Sequence, residues 1–185
     1  GQTCHHMRVS DTKQMPLHSS TQEAGPLMLQ AFAWDMAPDA SHWRYLAQHA
    51  QAIADLGVTI IWLPPAYKGN FGLDDVGYGV YDLYDLGEFD QKGTIPTKYG
   101  TKDEYLAAID ALHEAGIAVC ADIVLNHRMG ADATETVRAT PINPQDRHQA
   151  LGDPETIEAW TRFTFPGRGG AYSDFTWDWT CFHGI

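Results

Sequence analysis

The stretch ADIVLNH, Ala121–His127, carries the sharpest chemical feature of the chain. Read as a strand, it alternates Asp122, Val124 and Asn126 on one face with Ile123 and Leu125 on the other. A carboxylate inside an apolar strand costs several kcal/mol unless it is paired or hydrogen-bonded. Asp122 therefore requires a partner, whether as a structural acid or as part of a site. Asn126, at the strand end, can offer a hard oxygen ligand to Ca²⁺. His127 beside it can donate to a ligand hydroxyl at neutral pH. Taken singly, Asn126 and His127 read first as satisfied polar residues at a strand end.

A second feature is DDVGYGVYDLYDLGEF, Asp74–Phe89, which sets Tyr78, Tyr81 and Tyr84 among Asp75, Asp82, Asp85 and Glu88. Flat rings beside acidic groups suit neutral sugars, whose C–H faces stack while hydroxyls bond to carboxylates. The same stretch reads equally as a turn-rich excursion with structural tyrosines. Aromatic residues make up 11% of the chain, with six Trp, which leans toward the sugar-facing reading without deciding it. Other motifs are weak or absent. GRGG at Gly167–Gly170 follows no strand and precedes no GK[ST], so it is not a phosphate loop. The sequence contains no HExxH, CxxC or GxSxG.

These residues need elements to position them. LMLQAFAW, Leu27–Trp34, reads as a short buried strand. Ser41 then offers a helix N-cap. After it Trp43, Leu46, Ala47, Ala50, Ile53, Ala54 and Leu56 recur at helical spacing, and Gly57 closes the element. VTIIWLPP, Val58–Pro65, is apolar on both faces and stopped by two prolines, as a covered parallel strand would be. After the polar, aromatic segment from Tyr67, Thr101 caps a second helix with Tyr105, Leu106, Ile109 and Leu112 on one face, closed by Gly116. IAVCADIVLNH, Ile117–His127, is the third strand, and Cys120 within it reads as a buried free thiol.

Strand, helix, strand, loop, helix, strand is the pattern of a parallel α/β fold, whose ligand site lies beyond the C-terminal strand ends. FAWDM, PPAYKG and NHRMG fall there. After His127 the pattern stops. Residues 128–185 read as an irregular subdomain with one short helix, capped by Asp153 with Pro154 at its first position. Residues 1–25 show no period and read as a mobile leader, with His5 and His6 an adventitious pair.

The 185 residues suffice for one domain, or one domain plus a subdomain, and 44% hydrophobic residues mark a globular chain. With 24 acidic and 12 basic residues the formal charge is −12, which argues against nucleic acid and against anionic membrane surfaces. Three scattered cysteines make no disulfide framework. They lean, with the lack of a secretory pattern at the N-terminus, toward the cytoplasm over secretion, and the compartment stays open.

Together LQAFAWD, WLPPAYKG, DVGYGVYDLYDLGEFDQKGTIPTKYGT, ADIVLNH and FTFPGRGGAYSDFTWDW resemble the N-terminal part of bacterial α-amylases of the liquefying and cytoplasmic type, across residues 27–184. The resemblance implies an α/β fold that is the N-terminal portion of a (β/α)₈ TIM barrel, strands one to three. An irregular B-domain insertion would follow strand three, and the barrel would be incomplete. Residues 26–127 would be the partial barrel and 128–185 the partial B domain. It further implies that Tyr78 stacks on the sugar at the cleavage subsite and that His127 bonds to one of its hydroxyls. Gln30 and Trp34 would line the glycone side, and Asn126 would ligate a structural Ca²⁺ between barrel and B domain. His183 departs from an Asp carried there by close relatives.

The implied activity is endo-hydrolysis of α-1,4-glucosidic bonds in starch, glycogen or maltooligosaccharides with retention. That chemistry needs two carboxylates about 5 to 5.5 Å apart across the scissile bond. In the family these follow later strands, so the expected nucleophile and acid/base are not in this chain. Two alternatives follow: a non-catalytic α-glucan-binding fragment, or a glucanotransferase relative. Three strands cannot close a barrel, and the unpaired sheet edges imply homo-oligomers.

Overall fold

The structure, a computed structural model, describes residues 25–185. The predicted leader, Cys4, His5 and His6 lie almost wholly outside that range. The chain order is β1 (Met28–Gln30), α1 (His42–Asp55), β2 (Ile60–Leu63), β3 (Lys68–Gly69), β4 (Val80–Asp82), α2 (Lys102–Glu114), β5 (Ala118–Ala121), β6 (Ala133–Ala139), β7 (Ile142–Asn143), β8 (Asp146–Ala150) and β9 (Glu155–Arg162).

β1, β2 and β5 form a three-stranded parallel sheet in the order β1-β2-β5. Both helices start directly after the expected Ser and Thr and end next to the expected glycines. In α2 the Thr101 hydroxyl accepts from the Glu104 backbone N–H while the Glu104 carboxylate accepts from Thr101 N–H, a complete capping box. Ser41 stands at the N-cap of α1, but its hydroxyl donates to Asp39 at 2.6 Å and leaves the helix uncapped by a side chain. Gly57 takes φ 88°, and its N–H closes the end of α1 on the Ala54 carbonyl at 2.8 Å.

The two helices pack on each other and on one face of the sheet. Trp43, Leu46 and Ala50 of α1 and Tyr105, Ala108 and Leu112 of α2 bury themselves with Ile61 and Leu63 of β2. Period two then turns Trp62 of β2 to the opposite face, in one cross-strand row with Gln30 and Cys120. That row explains a correction: Cys120 is exposed, because it lies on an edge strand and points away from the helices.

Two further expectations change. β5 ends at Ala121, so Asp122–His127 is a loop that leaves the strand. The helix expected after Asp153 is instead the strand β9. ETIEAWTR turns Ile157, Ala159 and Thr161 inward at period two and pairs antiparallel with β6 from Ala133 to Ala139. A second small core, Tyr81, Ala131, Phe163 and Phe165 with Trp177 and Phe182 against it, joins β4 to this hairpin.

Candidate functional site

At the C-terminal end of the parallel sheet, three loops converge on Asp122. Trp62 Nε1 donates to Asp122 Oδ2 at 3.1 Å, and the Tyr78 hydroxyl donates to the same oxygen at 2.7 Å. The required partners of Asp122 are thus two aromatic donors, one from β2 and one from the long excursion. Trp34, from the loop after β1, lies against Tyr78 with ring centroids 6.0 Å apart and planes within 6°. Trp34 is 68% exposed, so the pair presents an open flat face to solvent. Phe32 meets Trp62 edge-on at 5.5 Å and closes the floor behind them.

Burial, then the hydrogen bond to Asp122 and its negative charge, pushes the Tyr78 phenol up to about 12. The phenol is a fixed donor over the whole neutral range. Tyr67 is likewise raised by burial, and its hydroxyl accepts the Val124 backbone N–H at 2.7 Å, which pins the loop after β5.

His127 is exposed, and its Nε2 donates to the Tyr78 backbone carbonyl at 2.8 Å. Its Nδ1 faces the Asn126 amide nitrogen at 3.4 Å, a donor, which fixes Nδ1 as the acceptor. The donor expected to meet a ligand hydroxyl is therefore engaged on Tyr78. Gln30 closes β1, is exposed, and donates to the Phe32 carbonyl at 3.1 Å. Trp34, Tyr78, Asp122 and His127 come together; Gln30 stands beside them on the Trp62 row.

Asn126 is exposed at the end of the same loop. Calcium takes six to eight oxygens. Among the described residues no three or more His, Cys, Asp or Glu side chains gather to hold a metal. One amide oxygen is far short of a cage, so these residues do not by themselves fit calcium.

Asp75, Asp82 and Asp85 of the Tyr/Asp excursion face inward. Asp75 is buried and accepts from the backbone N–H groups of Phe71, Gly77 and Gly79 at 3.2, 2.8 and 3.1 Å. A Cβ at Gly69 or Gly79 would collide with that carboxylate, which is why glycine stands there. Asp85 Oδ1 accepts from Gly87, Glu88 and Phe89, while its Oδ2 accepts from Gln91 and lies 3.4 Å from Lys68 Nζ. Asp82 accepts from Arg168 Nε at 2.8 Å and from Gln91 at 2.9 Å. Glu88 pairs with Lys102 at 2.9 Å and with the Tyr172 hydroxyl at 2.8 Å. Of the excursion's tyrosines, Tyr78 reaches the cleft, whereas Tyr81 is buried and donates to Asp132 at 2.8 Å.

Sequence reasoning missed Trp62, Phe32 and Tyr67. Trp62 was legible in part: with Ile61 and Leu63 facing the helices, period two sends the intervening Trp to the site face.

Residues 30–164 match the family model for the α-amylase catalytic domain. The chain belongs to this family. An α-amylase from Geobacillus stearothermophilus is 54% identical over 158 residues, covering 85% of this chain and 29% of that protein. A cytoplasmic α-amylase from Escherichia coli is 52% identical over 160 residues, covering 86% of this chain and 32% of that protein. An alternansucrase solved in complex with isomaltononaose superposes with a TM-score of 0.64 at 30% identity, over 74% of this chain and 12% of that one. The chain thus spans 29% to 32% of the length of these curated relatives. The parallel sheet and its two helices are part of a TIM-barrel-like fold.

Proposed function

We propose that this chain forms the α-glucan-contacting wall of an α-amylase site, and that the whole protein hydrolyses internal α-1,4-glucosidic bonds of starch and glycogen. The observation that carries the reading is the Trp34–Tyr78 pair, two parallel rings of which Trp34 is open to solvent and Tyr78 half-buried, at the C-terminal end of a parallel sheet. A glucosyl ring stacks on such a face through its C–H groups, and the Tyr78 hydroxyl is oriented by Asp122. His127 positions Tyr78 from its backbone side, and Gln30 lines the glycone end of the same wall. Names of the relatives at 52–54% identity support hydrolysis over glucan transfer.

Retaining hydrolysis needs a nucleophile and an acid/base on opposite sides of the bond. Asp122 already accepts from Tyr78 and Trp62, while Asp75, Asp82 and Asp85 are tied into the fold. We assign the two catalytic carboxylates to neither group. This favours a second reading for the chain on its own, glucan binding without hydrolysis.

In this reading residues 128–185 are a partial B domain, Asn126 is one oxygen ligand of a calcium whose other ligands come from other segments, and the free edges of β1 and β5 support self-association. Release of new reducing ends from soluble starch, with His127→Ala alongside, separates the readings. Turnover lost in the variant would put catalysis within this chain. Retardation on a starch gel without turnover is the outcome expected of the wall alone. Absence of both turnover and retardation would refute the proposal.

A further inference from the structure

Beyond the cleft, the segment from Phe165 to Trp177 folds against the end of β4 and encloses a cavity of about 180 Å³. Two arginines line it, and they are in opposite states. Arg168 is paired through two nitrogens: its Nε donates to Asp82 at 2.8 Å, and its Nη1 donates to the carbonyls of Ala171, at 2.6 Å, and Ser173. Arg128 is held 4.5 Å over the Trp177 ring, yet its buried Nε and Nη1 meet no acceptor among the described residues. Arg128 is half-buried, and these two nitrogens are cut off from water with the Trp177 ring face as their compensation and no hydrogen-bond acceptor.

The charges and the rings of the cavity say what would relieve it. Asp82 is matched by Arg168 and also accepts from Gln91, so the positive charge of Arg128 is the uncompensated one. A neutral sugar would find few ring faces to stack on: Trp177 is covered by Arg128, and Phe165 and Tyr84 lie 4.9 and 5.3 Å from the Arg168 guanidinium. An anion supplies both the acceptor and the countercharge, and charge-assisted bonds to it are about twice as strong as neutral ones. The volume suits a group of phosphate or carboxylate size and excludes a polymer chain.

We propose that Arg128 anchors a small-oxyanion site, of the phosphate or carboxylate class, between the end of β4 and the Phe165–Trp177 segment. The site is separate from the Trp34–Tyr78 cleft and does not depend on the glucan reading.

The test is a thermal melt of the chain, with tryptophan fluorescence, in sodium phosphate, sodium acetate or maltose against sodium chloride of equal ionic strength. At roughly tenfold excess over Kd, phosphate should raise the melting midpoint by about 3 to 6 °C. Arg128→Gln should weaken binding at least about tenfold, and Arg128→Lys, which keeps charge without the fork, should fall between. Trp34→Ala should respond as the native chain does. A response to phosphate alone supports a phosphorylated ligand, and an equal response to acetate supports a carboxylate; each sustains the site. No response beyond chloride in the native chain would overturn it, as would an unchanged response in Arg128→Gln with native circular dichroism. A maltose effect removed by Arg128→Gln, without a phosphate effect, would also overturn it.

Discussion

Two regions of this chain draw on the same residue types and use them oppositely. In the buried polar cluster, Lys68, Asp82, Asp85, Gln91 and Arg168 are at most 5% exposed. Lys68 Nζ donates to the carbonyls of Phe89, Thr94 and Ile95 at 2.9, 2.6 and 2.7 Å and faces Asp85. Burial lowers its pKa, and the neighbouring Asp85 opposes the shift. In the cleft, Asp122 is half-buried, accepts among the described residues from two aromatic donors, and supports half-buried rings beside the exposed Trp34. Asp and Tyr in one motif therefore separate by satisfaction: where a carboxylate's acceptors are met inside the protein the residue builds, and where a ring face is left open it is free to meet a ligand.

The contrast can be broken most forcefully in the cluster. Lys68→Met would leave Asp85 buried without its cation and three carbonyls without a donor. Loss of one partner of a buried pair costs about 3 to 5 kcal/mol, so the urea midpoint should fall sharply. Trp34→Ala, by contrast, should stay within about 0.5 kcal/mol of native stability. A mild Lys68→Met variant would show that the cluster does not carry the fold.

In the cleft the expected effect is on binding. A stacked aromatic contact contributes about 0.5 to 1.5 kcal/mol, so Trp34→Ala should weaken maltoheptaose binding by up to about tenfold. Equal affinity in native and variant chains would remove Trp34 from the wall.

A smaller effect sharpens the role of Asp122. Tyr78 keeps its proton in the fold up to about 12, whereas an unperturbed tyrosine ionises near 10. Its contribution to stability is therefore complete below pH 10 and is lost as pH rises from 10 toward 12. In Asp122→Asn the midpoint should move part of the way back, since burial persists while the carboxylate's charge is gone. The difference between native and Tyr78→Phe absorbance at 295 nm reads it. An unmoved midpoint would leave burial as the whole cause.

The smallest effect concerns metal. Calcium added in place of EDTA should shift the melting midpoint of this chain by less than about 1 °C, because one amide oxygen makes no cage. A larger rise would place a calcium site within these residues.

Much of the fold was legible because periodicity reports it directly. The three parallel strands, both amphipathic helices, the Thr101 cap and the closing glycines follow from spacing and turn chemistry. Asp153-Pro154 mimics a helix start, so local pattern alone points to a helix where β9 forms. The decisive pairing partner, β6, lies 16 residues or more away and leaves no local trace. Site residues named from the motifs did converge on one end of the sheet, and the partner required by Asp122 exists. Which acids of the excursion face inward was not legible, since period and composition are alike for Asp75, Asp82 and Asp85, and only long-range contacts such as Arg168 to Asp82 decide it.

The central claim is that the open Trp34–Tyr78 face binds α-glucan. Fluorescence titration of the chain with maltoheptaose tests it most directly, with Trp34→Ala and Trp160→Ala in parallel, Trp160 being a 66% exposed ring on β9. The account predicts saturable quenching in the native chain, preserved in Trp160→Ala and much weakened in Trp34→Ala. Quenching lost in Trp160→Ala and intact in Trp34→Ala, or no saturable response in the native chain, would contradict it.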